Sequence, residues 1–314
     1  MEIRPSVLCP IDFSESSRGA LRYARAVAAH FGARLTVLAV NDPILGEAAA
    51  LAGRDIHLPE DTAQEIDRFV QQTCEHLPGD GVDVRREVAT GKPASEILRV
   101  SRDRSCDLIV MSSHGLTGFR KLFFGSTTER VLRETAVPVL VTPGADPGPN
   151  ELEQVPGIVR RILTPVDLTP ATARQVRLTR GLAESLGVSL LLLHVIEPLR
   201  SLASHPRLPT VEAERRYRAE HELERFVAST PATLKPEALV AYGEPAEEIA
   251  KVAADRDAGL VVMGLHSSPV LGPRMGSVTY RVLCLAHRLV LAIPPAPVET
   301  RQDPLEEQLI RAAR

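Results

Sequence analysis

The chain has 314 residues, a hydrophobic content of 44%, a charged content of 25% and a formal net charge of -3. That balance describes a globular chain long enough for two domains. It excludes a basic nucleic-acid stripe and a long acidic tail and, with no tryptophan and only 4% aromatic residues, a base-stacking platform. No run of about 18 apolar residues offers a membrane span. Cys9, Cys74, Cys106 and Cys284 form no Cys-x-x-Cys pair and have no histidine at zinc spacing, which fits a reducing cytoplasm. The N-terminus runs straight into a strand, without an apolar signal segment.

In chain order, the short apolar run 7–11 predicts a first strand. Leu21, Ala24, Val27 and Ala28 share one face of a helix from about Ser16 to Phe31, and Gly32 stands at its end as a C′ residue. Residues 34–40 predict a second strand, and 66–77 fall in a second helix. Residues 83–88 predict a third strand, after which Pro93 opens a third helix at its favoured first position. A fourth strand at 108–111, a fourth helix at 127–134 and a fifth strand at 139–141 complete the half. Nearly continuous apolar strands separated by helices imply a parallel sheet covered on both faces. Right-handed crossovers then restrict the topology to doubly wound forms.

The pattern returns about 150 residues later. Pro10-Ile11-Asp12-Phe13-Ser14 matches Pro165-Val166-Asp167-Leu168-Thr169, and Gly91-Lys92-Pro93-Ala94 matches Gly243-Glu244-Pro245-Ala246. The runs 35–40 and 190–195, 108–115 and 260–267, and 137–143 and 288–294 also correspond. Five collinear matches indicate duplication. The expected organisation is a domain over 1–143, a linker over 144–157, a second domain over 158–296 and a tail over 297–314. The linker is rich in Pro and Gly and lacks periodicity. Leu305 and Leu309 share a helical face, which predicts a short terminal helix.

In such a sheet ligands bind beyond the carboxyl ends of strands, where strand order reverses. The first strand ends at Asp12 and the fourth at Met111-Ser112-Ser113-His114-Gly115. Gly125-Ser126-Thr127 offers main-chain N–H groups at a helix start, an anion site of phosphate size. Arg120 and Lys121 lie in the intervening loop. Plainer readings stand beside this one. Ser126-Thr127-Thr128-Glu129 is also a capping box. Gly115 is equally a turn glycine, Asp12 a cap aspartate, Arg120 and Lys121 a solvated face, and His114 and His266 loop-packing histidines. No Gly-x4-Gly-Lys-Ser/Thr loop is present, and no Gly-x-Gly-x-x-Gly follows the first strand. Gly-x-Ser-x-Gly and His-Glu-x-x-His are also absent.

These residues resemble the universal stress protein family in its tandem form, over about 3–143 and 159–294. The resemblance implies two Rossmann-like α/β domains, each a five-stranded, mainly parallel sheet of order 3-2-1-4-5 with helices on both faces. It implies ATP as the cofactor, alone or with Mg2+. Adenine and ribose contacts would fall on Pro10, Asp12, Val40 and Met111, and phosphate contacts on Gly115, Gly125, Ser126 and Thr127. Ser112 replaces the first glycine of the family's motif, and His114 lies in the same turn. In the second half the roles fall on Pro165, Asp167, Val195, Met263, Gly264, Gly276, Ser277 and Val278. There Ser267 replaces the second glycine, and the loop is one residue shorter and carries Pro269 and Pro273. Arg274 alone replaces the Arg-Lys pair, and Tyr280 stands where a capping box needs Glu. The first site is therefore expected to bind more tightly.

The resemblance also implies pairing through the last strands, 138–141 and 288–292, as an intramolecular pseudo-dimer, with a homodimer of the whole chain as a further step. Three functions follow. One is a cytoplasmic ATP-binding regulator of stress response with at most weak hydrolysis, since no activated nucleophile, metal cluster or general base accompanies the cradle. Another is an interaction scaffold that has lost nucleotide binding. The third, an enzyme that adenylates a substrate, lacks the Ser-Gly-Gly-x-Asp-Ser and His-Ile-Gly-His-like loops after the first strand of either half.

Overall fold

The computed structural model describes residues 4–43, 59–74, 81–113, 125–144, 146–149, 157–199, 208–265 and 276–295. These fall into two compact units, with the division between Val155 and Pro156.

The first unit contains β1 (Ser6–Ile11), α1 (Glu15–His30), β2 (Arg34–Asn41), α2 (Pro59–Cys74), β3 (Val84–Thr90), α3 (Pro93–Asp103), β4 (Leu108–Ser112), α4 (Ser126–Glu134) and β5 (Val139–Thr142). The strands pair in parallel in the order β3-β2-β1-β4-β5. Leu8, Cys9, Val37, Leu38, Ile109 and Val110 are fully buried, as a sheet covered on both faces requires. Helices α1 and α2 pack together, as do α3 and α4.

The second unit repeats the plan with β6 (Arg161–Pro165), α5 (Pro170–Leu186), β7 (Ser189–Ile196), α6 (Leu208–Ala228), β8 (Glu237–Tyr242), α7 (Pro245–Asp255), β9 (Leu260–Gly264), α8 (Ser277–Leu285) and β10 (Leu289–Ile293). The parallel order is β8-β7-β6-β9-β10. Both sheets are thus the 3-2-1-4-5 arrangement expected from sequence.

Element boundaries moved where local chemistry decided them. Helix α1 starts at Glu15 because the Ser14 hydroxyl accepts the Ser17 N–H and caps it. Helix α2 runs from Pro59 to Cys74 and contains residues 66–74 of the expected stretch, while 75–77 lie outside the described residues. Pro93 does stand in the first turn of α3, and Gly32 has φ +60 after α1. Residues 144 and 146–149, expected to be plain linker, lie against α1. The Ser16 hydroxyl donates to the Gly144 carbonyl (2.8 Å) and the Tyr23 hydroxyl to Asp146 Oδ2 (2.8 Å). The expected terminal helix around Leu305 lies outside the described residues. No described helix is long and apolar enough to cross a membrane.

Candidate functional site

The sheet of the first unit splits where its strand order reverses. β1 and β4 pair only at Val7–Leu108 and Leu8–Ile109. Cys9–Ile11 and Val110–Ser112 then separate, because each strand leads to a helix on the opposite face. Two turns border this split.

The first turn follows β1. Asp12 Oδ1 accepts the Ser14 N–H (3.2 Å) and the Ser14 hydroxyl (2.5 Å), while Phe13 takes the left-handed conformation with φ 62. Ser14 in turn caps α1. Asp12 thus builds its own turn through side-chain to main-chain bonds, the mechanism that makes Asp and Ser turn residues. The second unit uses the same device. Asp167 Oδ1 accepts from the Thr169 N–H (3.0 Å), the Thr169 hydroxyl (2.7 Å) and the Thr172 hydroxyl (2.9 Å), and Leu168 has φ 59.

The second turn follows β4. The Gly125 N–H donates to the Ser113 carbonyl (2.8 Å), and the buried Thr128 hydroxyl donates to the Ser112 carbonyl (2.9 Å). These bonds return the start of α4 to the end of β4. Ser112, Gly125, Ser126 and Thr127 are therefore brought together at the end of β4, one residue beyond Met111. Pro10 and Asp12 lie at the end of the neighbouring strand, and Val40 lies near the end of β2. His114, Gly115, Arg120 and Lys121 lie outside the described residues.

The capping-box reading of Ser126 and Glu129 does not hold. Helix α4 starts at Ser126 itself, so the cap position is Gly125, which has no side chain to offer. Glu129 instead pairs with Arg133 (2.7 Å) one turn later. The second unit agrees: Gly276 is the cap of α8, without a side-chain hydrogen bond. Neither glycine is required by its conformation. Gly125 has φ -62 and Gly276 has φ -68, both open to any residue, and a Cβ on Gly276 would meet nothing within 4 Å. By contrast, α1 and α7 are capped by the Ser14 and Glu244 side chains.

The second crevice is assembled differently. Pro165, Asp167, Val195, Met263, Gly264, Gly276, Ser277 and Val278 occupy the equivalent places on β6, β7, β9 and α8. Its strands β6 and β9 also pair at only two positions before separating. Here the Thr279 hydroxyl stands 3.5 Å from the Gly264 carbonyl, a weaker tie than Thr128 makes. Gln175, buried on α5, reaches into the split and donates from Nε2 to the carbonyls of Pro165 (2.8 Å) and Val262 (2.9 Å). Its counterpart in α1 is Ala20. Ser267, Pro269, Pro273 and Arg274 lie outside the described residues. Sequence reasoning missed Gln175 and the threonines at 128 and 279. The paired threonines were visible three residues after each Gly125-type glycine, but Gln175 reaches partners 10 and 87 residues away and leaves no local pattern.

Among the described residues no group of three His, Cys, Asp or Glu could hold a metal ion. Cys9 is fully buried, and that burial, with Cys74 nearby, pushes its thiol well above the usual range, so it is no nucleophile.

Parallel sheets that split between first and fourth strands, with an aspartate turn and a glycine-led helix at the split, define the class of doubly wound, Rossmann-like domains, here present twice. The chain belongs to the Universal stress protein family, which it matches over residues 4–143 and again over 159–294. A universal stress protein of Methanocaldococcus jannaschii is 33% identical over 138 residues, 43% of this chain and 79% of that protein. One from Mycolicibacterium smegmatis is 24% identical over 296 residues, 92% of this chain and 97% of its own length. The crystal structure of a universal stress protein from Archaeoglobus fulgidus superposes with a TM-score of 0.63 at 20% identity, covering 92% of this chain and 98% of the other.

Proposed function

We propose that this universal stress protein binds an adenine nucleotide in the first crevice and acts as a nucleotide-responsive regulator of stress response in the cytoplasm, without substantial turnover. The observation that carries the reading is the start of α4. A glycine that neither its φ nor a cap requires leads the helix, and the first-turn N–H groups sit at the strand split. Such amides, with the positive end of the helix, favour an anion of phosphate size. The Ser126 and Thr127 amides would receive the phosphates and Gly125, whose own N–H is given to Ser113, would let them approach closely, while Pro10, Asp12, Val40 and Met111 would line the adenine and ribose. The geometry fits ATP as an electrostatic guest of main-chain donors. Mg2+ would arrive on the phosphates with its waters, since no protein cluster awaits it among the described residues.

The looser Thr279 tie and the Gln175 bridge support a weaker or purely structural second crevice. Calorimetry of the whole chain with ATP and AMP tests the reading. Gly125→Ala is expected to weaken binding tenfold or more, and Gly276→Ala to change the tight phase by less than twofold. Because alanine is conformationally allowed at both positions, lost affinity would report crowding of the ligand. Equal losses in both variants would refute the asymmetry, and absence of any nucleotide binding would favour the scaffold reading.

A further inference from the structure

The repeats differ at two adjacent positions on their first helices: Gly19-Ala20 in α1 and Arg174-Gln175 in α5. In the second unit long side chains span the gap. Gln175 bridges β6 and β9, and Arg174 Nη1 donates to the carbonyl of Pro294, which follows β10 (2.9 Å). In the first unit the main chain after β5 packs against α1 at this place instead.

The chain after β5 is fastened onto α1 at several points. Gly19 has no Cβ, and one placed there would stand 2.1 Å from the Asp146 carbonyl oxygen. Facing it, Gly148 has φ +75, and a Cβ there would stand 2.7 Å from the Gly19 oxygen. The contact closes only with glycine on both sides. Tyr23, almost fully buried, donates to Asp146 Oδ2, while Asp146 Oδ1 accepts the Gly148 N–H (2.9 Å). Arg22 Nη1 donates to the Pro147 carbonyl (2.8 Å), and Ser16 to that of Gly144. Surface linkers are not ordinarily held by a buried tyrosine and two interlocked glycines.

The fastened elements each lead to one border of the first crevice. Helix α1 begins on the Asp12–Ser14 turn and lies over β1, β4 and β5. The fastened segment continues from β5, which pairs with β4 through Ser112–Thr142. It runs along α1 from Ser16 to Tyr23 and so ties β5 to the helix that starts at the Asp12–Ser14 turn, beside strands β1 and β4 that pair at only two positions.

We propose that Gly144 and Asp146–Gly148 form a clasp that regulates the first crevice. Docked on α1, the clasp sets the separation of the Asp12 and Gly125 turns, and nucleotide bound between them tightens it. This rests on the nucleotide reading of the first crevice. Coupling of this kind is reciprocal: whatever releases the clasp weakens the ligand by the factor with which the ligand stabilises the clasp. Gly19 and Tyr23 act as positioning residues, remote from the ligand.

The experiment uses the whole chain. Amide hydrogen exchange at Asp146 and Gly148 is measured with and without ATP, and ATP affinity is measured for Gly19→Ala and Tyr23→Phe. ATP is expected to slow exchange at both amides. Each variant is expected to speed it in the absence of ATP and to weaken the tight ATP phase about fivefold or more. A purely structural clasp would speed exchange yet leave affinity within twofold, and that result overturns the proposal while sparing the nucleotide reading. Exchange indifferent to ATP also overturns it. Wild-type protein that binds no ATP removes both. Should Gly19→Ala fail to fold, Tyr23→Phe, which removes one hydroxyl, decides the matter alone.

Discussion

Tyr23 and Cys9 are buried groups whose protons the fold retains. Burial raises the Tyr23 phenol above its ordinary value near 10, and the Asp146 carboxylate that accepts its hydrogen bond raises it further. Burial raises Cys9 above its ordinary value near 9, with Cys74 adding to the effect. A pKa raised in the folded state means that stability is complete below the unfolded value and declines as pH rises past it. In the unfolded chain the thiol would ionise near pH 9 and the phenol near pH 10, while the native chain holds both protons. The melting temperature is therefore expected to fall steadily between about pH 8.5 and 10.5. Tyr23→Phe should flatten the part of the decline above about pH 10, at the cost of a lower melting temperature at pH 7. A decline of equal steepness in Tyr23→Phe would remove Tyr23 from the account. Nothing near Tyr23 in sequence announced this behaviour, because its partner lies 123 residues downstream.

At the scale of elements, α4 and α8 begin with glycine, whereas α1 and α7 begin with capping side chains. A glycine cap costs a helix only a few tenths of a kcal/mol relative to serine or asparagine, so the sacrifice is small, and it leaves the first-turn amides uncovered. Gly125→Asp reverses the arrangement. The φ and ψ at this position, -62 and 130, suit an aspartate cap. Its carboxylate would take the amides that a phosphate needs and place like charge against it. The variant is expected to melt at a higher temperature than wild type and to lose measurable ATP binding, two changes of opposite sense from one substitution. Retained ATP affinity would show that these amides do not hold phosphate. The starts of these helices were legible to within a residue, yet that residue mattered. The Ser-x-x-Glu pattern at Ser126 fits a capping box locally, but the chain turns into the helix one residue earlier. Strand existence was readable because strands buried on both faces are continuous apolar runs, whereas the residues of α2 before Ile66 gave no comparable signal.

For the whole molecule, duplication makes each repeat a reference for the other, and the comparison identifies positions that sequence alone left silent. The tandem plan was legible in five collinear matches and the doubly wound class in right-handed crossovers, while the 3-2-1-4-5 order followed from the family resemblance. The crevice floor was not, because Ala20 and Gln175 differ in reach, not in any local pattern. The same comparison exposes a polar misfit on the first strand of the second unit. Cys9 occupies β1 where Thr164 occupies β6, and both are fully buried. The Thr164 hydroxyl has no hydrogen-bond partner among the described residues. A buried, unpaired hydroxyl costs about 1–3 kcal/mol, whereas an apolar group of the same shape avoids that cost. Thr164→Val keeps the branched side chain that a strand favours and removes only the polar atom. It should stabilise the protein by about 1 kcal/mol, seen as a rise of roughly 2–4 °C in melting temperature for a domain of this size. The reciprocal change, Cys9→Thr, should lower it, because it introduces into the first unit the unpaired hydroxyl that the second carries. If Thr164→Val destabilises instead, the hydroxyl has a partner, and the floor of the second crevice is more polar than the strand split and the Gln175 bridge alone imply.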